Sequence, residues 1–452
     1  MKITFLGGTE TVTGSKYLVA SGDTRLLVDC GLFQGYKWLR ERNWETPAFD
    51  IDRLDAVVLT HAHLDHSGYL PVLYQRGYRG PVYGHAGTVA LCGVLLPDSG
   101  HLQEEDARYY ARHRIGRHAH PKPLYDRDCA QQSLALLQSV PFDRPFRIGS
   151  LSVHLQRAGH ILGAGSVIIE GEGRRVGFSG DVGRPDDIFM HPPDPLPPLD
   201  LLMLESTYGD RLHDTADPYD ELASAVRDTA HRGGVLLIPS FAVGRAQVLQ
   251  HMLARLIDDG RIPKLPVFLD SPMAIDVTDI YWRFHSEHRL SRADCERLDR
   301  LVQEVRTVED SQALADLTYP HIIIAGSGML TGGRILHHLK RLLPDPRTTV
   351  LLCGYQAGGT RGAKLQQGAD CVRIHGEWVQ NRADIRFIAG LSGHADYRQL
   401  SAWLARSSLA PDTRIQLVHG ESEALEGLRD HLRRTTQYDV AVAGYRHILT
   451  LA

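Results

Sequence analysis

Directly after the apolar run Ala56-Val57-Val58-Leu59, the segment Thr60-His61-Ala62-His63-Leu64-Asp65-His66 places three histidines and an aspartate within six positions. Imidazole nitrogens and carboxylate oxygens are the donors that a borderline cation such as Zn²⁺ takes. A strand that ends in a tight turn can fan such side chains toward one point. An idle polar loop would account for a single histidine there, but not for this concentration of ligand types. The cluster cannot set all four donors on one ion with good geometry. One ion needs about four protein ligands in a structural site, or three and a water in a catalytic one. Further donors must therefore come from the ends of other strands, and the fold must be one that gathers several strand ends together.

Three more positions supply them. His160 follows Ala158-Gly159, Asp181 ends Phe178-Ser179-Gly180-Asp181, and His419 sits in Leu417-Val418-His419-Gly420. Each follows a strand-like run beside a glycine that permits close approach of the backbone. With His61, His63, Asp65 and His66 they make seven donors, enough for two metals that share a carboxylate. Asp29 closes another strand, Arg25-Leu26-Leu27-Val28, and is followed by Gly31.

The rest of the chain suits a soluble globular protein of two or three domains. Of 452 residues 43% are hydrophobic and 23% charged, and the net charge is −4. A dominant basic field is thus excluded, and any nucleic-acid contact must come from a local patch. The six cysteines (30, 92, 129, 295, 353 and 371) show no C-x-x-C spacing and read as buried thiols. The N-terminus lacks the apolar core of a signal peptide, and no apolar run reaches membrane-spanning length. A cytoplasmic location with no membrane partner is the expectation.

Tyr17–Ala20 and Arg25–Val28 flank a hairpin turn, and strands recur around Val153, Val167 and Val176. Helices are predicted over Leu70–Arg76, Leu102–Arg112 and Cys129–Leu137. This pattern indicates two sheets with helices outside, an αββα arrangement. Beyond Leu201 near-continuous apolar strands alternate with helices: Val235–Ile238 before a helix from Arg245, Pro266–Leu269, His321–Ile324 before a helix from Arg334, and Val350–Leu352. These predict a mainly parallel sheet buried on both faces. From Ile385 the isolated-strand style returns. The expected division is therefore a first domain over 1–207 and 385–452, with an α/β domain, 208–384, inserted into it. Pro192–Pro198 reads as a surface spacer.

In order and type, these residues resemble the metallo-β-lactamase superfamily, with its strand-end Asp, H-x-H-x-D-H loop, His, Asp and late His. The resemblance implies that His61, His63 and His160 hold one zinc, that Asp65, His66 and His419 hold the other, and that Asp181 bridges them. Asp29 would orient the ligand loop. Two zinc ions about 3.5–4 Å apart can share a hydroxide and clamp both oxygens of an in-line displacement. Leu204-Glu205-Ser206-Thr207-Tyr208-Gly209, Leu391-Ser392-Gly393-His394-Ala395-Asp396 and Val418-His419-Gly420 further resemble motifs A, B and C of the β-CASP branch. That branch includes the endonuclease of messenger-RNA 3′-end processing and its bacterial relatives.

The implied function is a zinc-dependent ribonuclease acting on single-stranded RNA, with its active site in a cleft between the two domains. Cleaving a P–O bond leaves an alkoxide that needs a proton. His394 is the candidate general acid, Glu205 the group that orients it and favours its charged form, and Asp65 and Asp29 complete the catalytic set. Gly326–Arg334 lies between a strand and a helix, where exposed backbone N–H groups favour anions. It lacks the full G-x-G-x-x-G of a dinucleotide site. Ser327 and Arg334 there, Ser240 and Arg245 in a similar loop, and Arg361 and Lys364 are the candidate phosphate-binding residues. The basic run Arg112–Lys122 could extend a nucleic-acid groove. A thioesterase- or lactonase-type hydrolase, a DNA-directed nuclease and a non-catalytic RNA-binding scaffold are the alternatives. The chain ends soon after its last motif, which leaves a homo-oligomer, and the endonuclease or exonuclease mode, open.

Overall fold

Apolar residues two apart, such as Ile3 and Phe5, Val19 and Tyr17, or Leu26 and Val28, line one face of successive short strands. Burying that face requires a second sheet, and the chain supplies one. The computed structural model describes residues 1–113, 121–354, 356, 359–388 and 390–451. It divides into a unit formed by Met1–Leu212 with Gly393–Ala452, and a second formed by His213–Ser392.

In the first unit one seven-stranded sheet runs, in spatial order, Ile448–Thr450, Lys2–Gly7, Lys16–Ser21, Thr24–Val28, Ala56–Val58, Val82–Gly84 and Leu137–Ser139. The other runs Asp439–Val442, Arg414–Val418, Leu201–Glu205, Arg174–Phe178, Gly165–Gly171, Leu151–Arg157 and Phe146–Ile148. Their inner faces meet in one core that includes Phe5, Val28, Leu155, Val167, Phe178 and Met203. Leu202, Leu204, Ile415 and Leu417 point the other way and pack under the helices Tyr397–Arg406 and Ser422–Thr435, around buried Trp403. This is the αββα sandwich, and its central strands are apolar on both faces because both are covered.

The second unit holds a six-stranded sheet in the order Val302–Glu304, Val267–Asp270, His321–Ala325, Val235–Pro239, Thr349–Cys353 and Asp384–Ile388, all parallel. Its last strand corrects one expected boundary. Ile385–Ile388 does not open the return to the first unit. It closes the inserted sheet, with Val350 opposite Ile385 and Cys353 opposite Ile388, because its ladder bonds find their partners there.

Other local expectations also shift. The helix predicted over Leu102–Arg112 is the end of a longer one, Ala86–His113. The one predicted over Cys129–Leu137 stops at Ser133, and Leu137–Ser139 becomes an edge strand against Val82–Gly84. The proline-rich spacer is only partly on the surface. Leu196 is buried in the core around Trp403, whose indole donates to Asp194 O at 2.8 Å. Residues 114–120 of the basic run lie outside the described residues. No described helix is long and apolar enough to cross a membrane.

Candidate metal centre

Strand direction explains how distant residues reach one place. Thr24–Val28 and Ala56–Val58 are parallel neighbours, so Asp29 and the loop His61–His66 leave the same edge of one sheet. Arg174–Phe178, Leu201–Glu205 and Arg414–Val418 are parallel neighbours in the other sheet. Leu151–Arg157 is antiparallel to a strand that is itself antiparallel to Arg174–Phe178, and so points the same way. His160, Asp181, Glu205 and His419 therefore share the second sheet's C-terminal edge.

The seven donors converge there in two groups, His61, His63, His160 and Asp181, and Asp65, His66 and His419. Within the first group His61 Nε2 lies 3.1 Å from His63 Nδ1, His160 Nε2 lies 3.3 Å from His63 Nδ1, and Asp181 Oδ2 lies 3.4 Å from His61 Nε2 and 3.6 Å from His160 Nε2. Donors around one tetrahedral zinc at the usual Zn–N distance are about 3.4 Å apart. Within the second, His66 Nε2 is 3.2 Å from His419 Nε2 and 3.9 Å from Asp65 Oδ2, and His419 Nε2 is 3.4 Å from Asp65 Oδ2. Asp181 turns its other oxygen this way, with Oδ1 3.2 Å from His66 Nε2 and 3.4 Å from His419 Nδ1. One carboxylate thus presents an oxygen to each group.

Two observations test whether cations fit. Asp181 is 2% exposed, and its Oδ1 makes no hydrogen bond among the described residues. Burying such an oxygen is costly unless something positive faces it. Imidazole nitrogens also face one another at 3.1–3.3 Å, an arrangement that a shared cation relieves. The donor set fits divalent cations.

Hydrogen bonds behind the rings assign the tautomers. His66 Nδ1 donates to Asp29 Oδ2 at 2.7 Å, leaving Nε2 for the centre. His160 Nδ1 donates to Gly393 O at 3.0 Å, with the same result. Thr60 Oγ1 donates to Asp29 Oδ2 at 2.9 Å and lies 3.1 Å from His61 Nδ1, while Thr207 Oγ1 lies 3.1 Å from His419 Nδ1. Such partners orient ligands and raise their basicity. Neither threonine is marked in the sequence, because a threonine after a strand is too common to signal a role.

Charge follows the same layout. Burial, with His66 beside it, holds His61 well below the ordinary imidazole range; burial does the same to His160 and also lowers His63. These rings are neutral and can offer lone pairs. Burial opposes a charge on His66, but Asp181, Asp29 and Asp65 overcome it and raise that ring well above 6.5, the same attraction that would favour a metal cation over the proton on Nε2. Burial likewise opposes the Asp65 carboxylate, yet His66 and His419 hold it at about 2.

The backbone is shaped to suit. Asp29 and His419 adopt φ of 60° and 50°, a region non-glycine residues rarely enter, and such strain gathers at functional sites. Gly31 has no alternative, since a Cβ there would come within 1.6 Å of Asp65 O.

His394 and Glu205 adjoin the donors. Glu205 is fully buried and accepts from Val182 N at 2.7 Å and Thr207 N at 3.2 Å. His394 Nδ1 lies 3.2 Å from Glu205 Oε1, and its Nε2 lies 3.9 Å from Asp181 Oδ2. Burial works against protonation of His394, but Glu205, Asp181 and Asp65 together raise it to about 9.

The candidate phosphate-binding residues all belong to the second unit. Arg334 donates to Asp270 Oδ1 at 2.7 Å and to the carbonyls of Val305 and Arg306. Asp270 is fully buried and also meets His338 Nε2 at 2.6 Å, so Arg334 is a structural partner. Arg361 donates to the carbonyls of Arg373 and Leu330. Ser240 is buried and donates to Phe241 O. Ser327 lies 3.0 Å from Thr331 Oγ1, Arg245 is half-buried, and Lys364 is exposed.

Asp29→Ala is expected to weaken zinc binding by about 10–100-fold, because it frees the His66 ring and the Thr60 hydroxyl together. Competition with a chromophoric chelator measures the change.

Comparisons with known proteins agree with this architecture. Residues 24–237 match the Beta-lactamase superfamily domain, 246–365 the Beta-Casp domain, and 378–443 the Zn-dependent metallo-hydrolase RNA specificity domain. The chain is 40% identical over 442 residues to Ribonuclease TTHA0252 of Thermus thermophilus, covering 95% of each protein. It is 32% identical over 454 residues to Transcription termination factor FttA of Methanocaldococcus jannaschii, covering 96% of this chain and 69% of that one. A crystal structure of a protein of unknown function from Enterococcus faecalis V583 aligns with a TM-score of 0.56 at 14% identity, over 100% of this chain and 99% of the other, which shows a common fold.

Proposed function

The chain belongs to the β-CASP branch of the metallo-β-lactamase superfamily, and we propose that it is a zinc-dependent ribonuclease that hydrolyses phosphodiester bonds of single-stranded RNA. The observation that carries this reading is a shared carboxylate. Asp181 faces two separate donor groups with its two oxygens, and His394, braced by Glu205, adjoins the same carboxylate. A ribonuclease relative at 40% identity and the match to an RNA specificity domain favour RNA over a small ester or lactone.

When bound, a zinc pair supplies Lewis-acid stabilisation of phosphate charge and an attacking water activated at neutral pH. The remaining work falls to side chains. His61, His63, His160 and Asp181 would hold one ion, and Asp65, His66, His419 and Asp181 the other. Asp65 is the more open carboxylate of the set, with its side chain 20% exposed. It is suited to orienting the water by accepting a hydrogen bond, since a carboxyl held at about 2 is a weak base. His394, protonated at neutral pH, delivers the Nε2 proton to the leaving oxygen, while Glu205 holds Nδ1–H and keeps the ring charged. Contacts to the RNA backbone from Arg245, Ser327 and Lys364 belong to the same proposal, while buried Ser240 fixes its own loop through Phe241 O. Arg334 and Arg361 serve it by holding their own loops.

The test is digestion of end-labelled single-stranded RNA by the zinc-loaded chain, comparing 5′-phosphate with 5′-hydroxyl substrates. Cleavage is expected with the native chain and not with His63→Ala. Product lengths report an endonuclease or exonuclease mode. RNA left intact by the native chain, together with rapid thioester turnover, would replace this reading with a small-molecule hydrolase.

A further inference from the structure

An alternating stack of aromatic and cationic side chains lies outside the metal centre. The Arg42 guanidinium is 4.8 Å from the Trp38 ring and 3.9 Å from the Tyr445 ring, and Arg446 is 5.2 Å from Tyr445. Trp38 is 53% exposed, and Tyr36 beside it 68%. Exposed apolar residues scattered singly are ordinary, but Tyr36, Trp38 and Trp44 are all exposed within one short segment, and such grouping marks a contact surface.

The stack is held firmly. Buried Asn43 clamps the loop by accepting from Phe33 N at 2.9 Å and donating to Phe33 O at 2.8 Å. Lys16 Nζ lies 4.4 Å from the Phe33 ring on the loop's inner side. A rigid loop that exposes tryptophan is preorganised for binding.

Both arms of the stack leave from the rim that carries the metal donors. The first arm continues from Asp29 and is zipped to the ligand loop by Cys30 N to His66 O at 2.7 Å and Leu32 N to Leu64 O at 2.8 Å. The second follows Asp439–Val442, the parallel neighbour of the strand that ends at His419. Ala443 N still bonds Leu417 O at 3.0 Å, two residues before Tyr445. Lys37, Arg40, Arg42 and Arg446 here outnumber Glu41 and Glu45, on a chain whose net charge is −4.

Aromatic rings and guanidinium planes stack on any base, and neighbouring cations take the phosphates. We propose that Trp38, Arg42 and Tyr445 form a stacking platform for the bases of single-stranded RNA beside the metal centre. This rests on the ribonuclease reading and names a binding surface for that substrate.

The experiment measures, on the full zinc-loaded chain, KM for labelled single-stranded RNA and turnover of bis(p-nitrophenyl) phosphate, a diester without bases. Trp38→Ala and Tyr445→Ala are each expected to raise KM for RNA about tenfold or more. Diester turnover is expected to stay within about twofold, and Trp38→Phe, which keeps a ring, to recover most of the RNA affinity. Unchanged KM in both alanine variants, with the native chain active on RNA, overturns the platform alone. So does an equal loss on RNA and diester that Trp38→Phe does not repair, since the loop would then act only by supporting the site. A native dimer that the variants convert to monomers overturns it in favour of a second copy of the chain. A native chain that hydrolyses the diester and neither binds nor cuts RNA overturns the ribonuclease reading itself.

Discussion

Asp181→Ala is expected to abolish RNA cleavage, lowering kcat/KM by more than about 10⁴-fold, because it withdraws the one donor common to both groups. The loss is not local to one ion. Asp181 Oδ2 completes the set around His61 and His160, and Oδ1 faces His66 and His419. Without it, each group keeps three donors, and two cations held there would lose the carboxylate that faces both groups. Metal content measured on the purified protein should fall from two zinc ions per chain to one or none. Asp181→Asn tests the charge at nearly constant shape, and is expected to resemble the alanine variant in activity. A variant that kept two zinc ions and native turnover would remove Asp181 from the centre. Circular dichroism checks that the sandwich, whose core lies elsewhere around Phe5, Val28 and Met203, still folds.

His394→Ala is expected to lower kcat by about 10²–10⁴-fold with a smaller effect on KM, the usual worth of a positioned general acid. Zinc content should not change, which separates this variant from the first. The pH profile supplies the sharper readout. An acid must be protonated to act, so its contribution is full below its pKa and is lost as pH rises through it. The carboxylates of Glu205, Asp181 and Asp65 outweigh burial and raise His394 to about 9. Cations on Asp181 and Asp65 cancel the share of those two and leave that of Glu205. The alkaline limb of kcat should therefore lie below about 9, at a position that Glu205 raises. Glu205→Gln should move it toward the acid side, and His394→Ala should erase it. A limb unmoved by Glu205→Gln would assign the titration to another group.

Parts of this layout were readable in advance because local chemistry is encoded locally. Paired-spacing strands announce a two-sheet sandwich, since an alternating face must be covered. Continuous apolar strands separated by helices announce a parallel sheet, since both faces must be covered. The donors stood out because His61, His63, Asp65 and His66 crowd one turn, and because His160, Asp181 and His419 each follow a strand. Ile385–Ile388 was less legible. A short strand with a polar start carries no mark of which sheet will accept its hydrogen bonds. The partner of Arg334 was hidden for a related reason. A glycine-rich loop before a helix suggests an anion site, and nothing near it in the chain names the buried Asp270, 64 positions earlier, as its partner.

The types of donor, their spacing in the ligand loop and the periodicities that build both kinds of sheet are legible in residue order alone, because they depend on neighbours along the chain. The folded chain was needed to show which ring nitrogen of each histidine faces the centre, that Thr60 and Thr207 adjoin two of those rings, and that Asp181 divides its oxygens between the groups. Those choices turn on distances of about 3 Å between strand ends hundreds of residues apart, which no local pattern can carry.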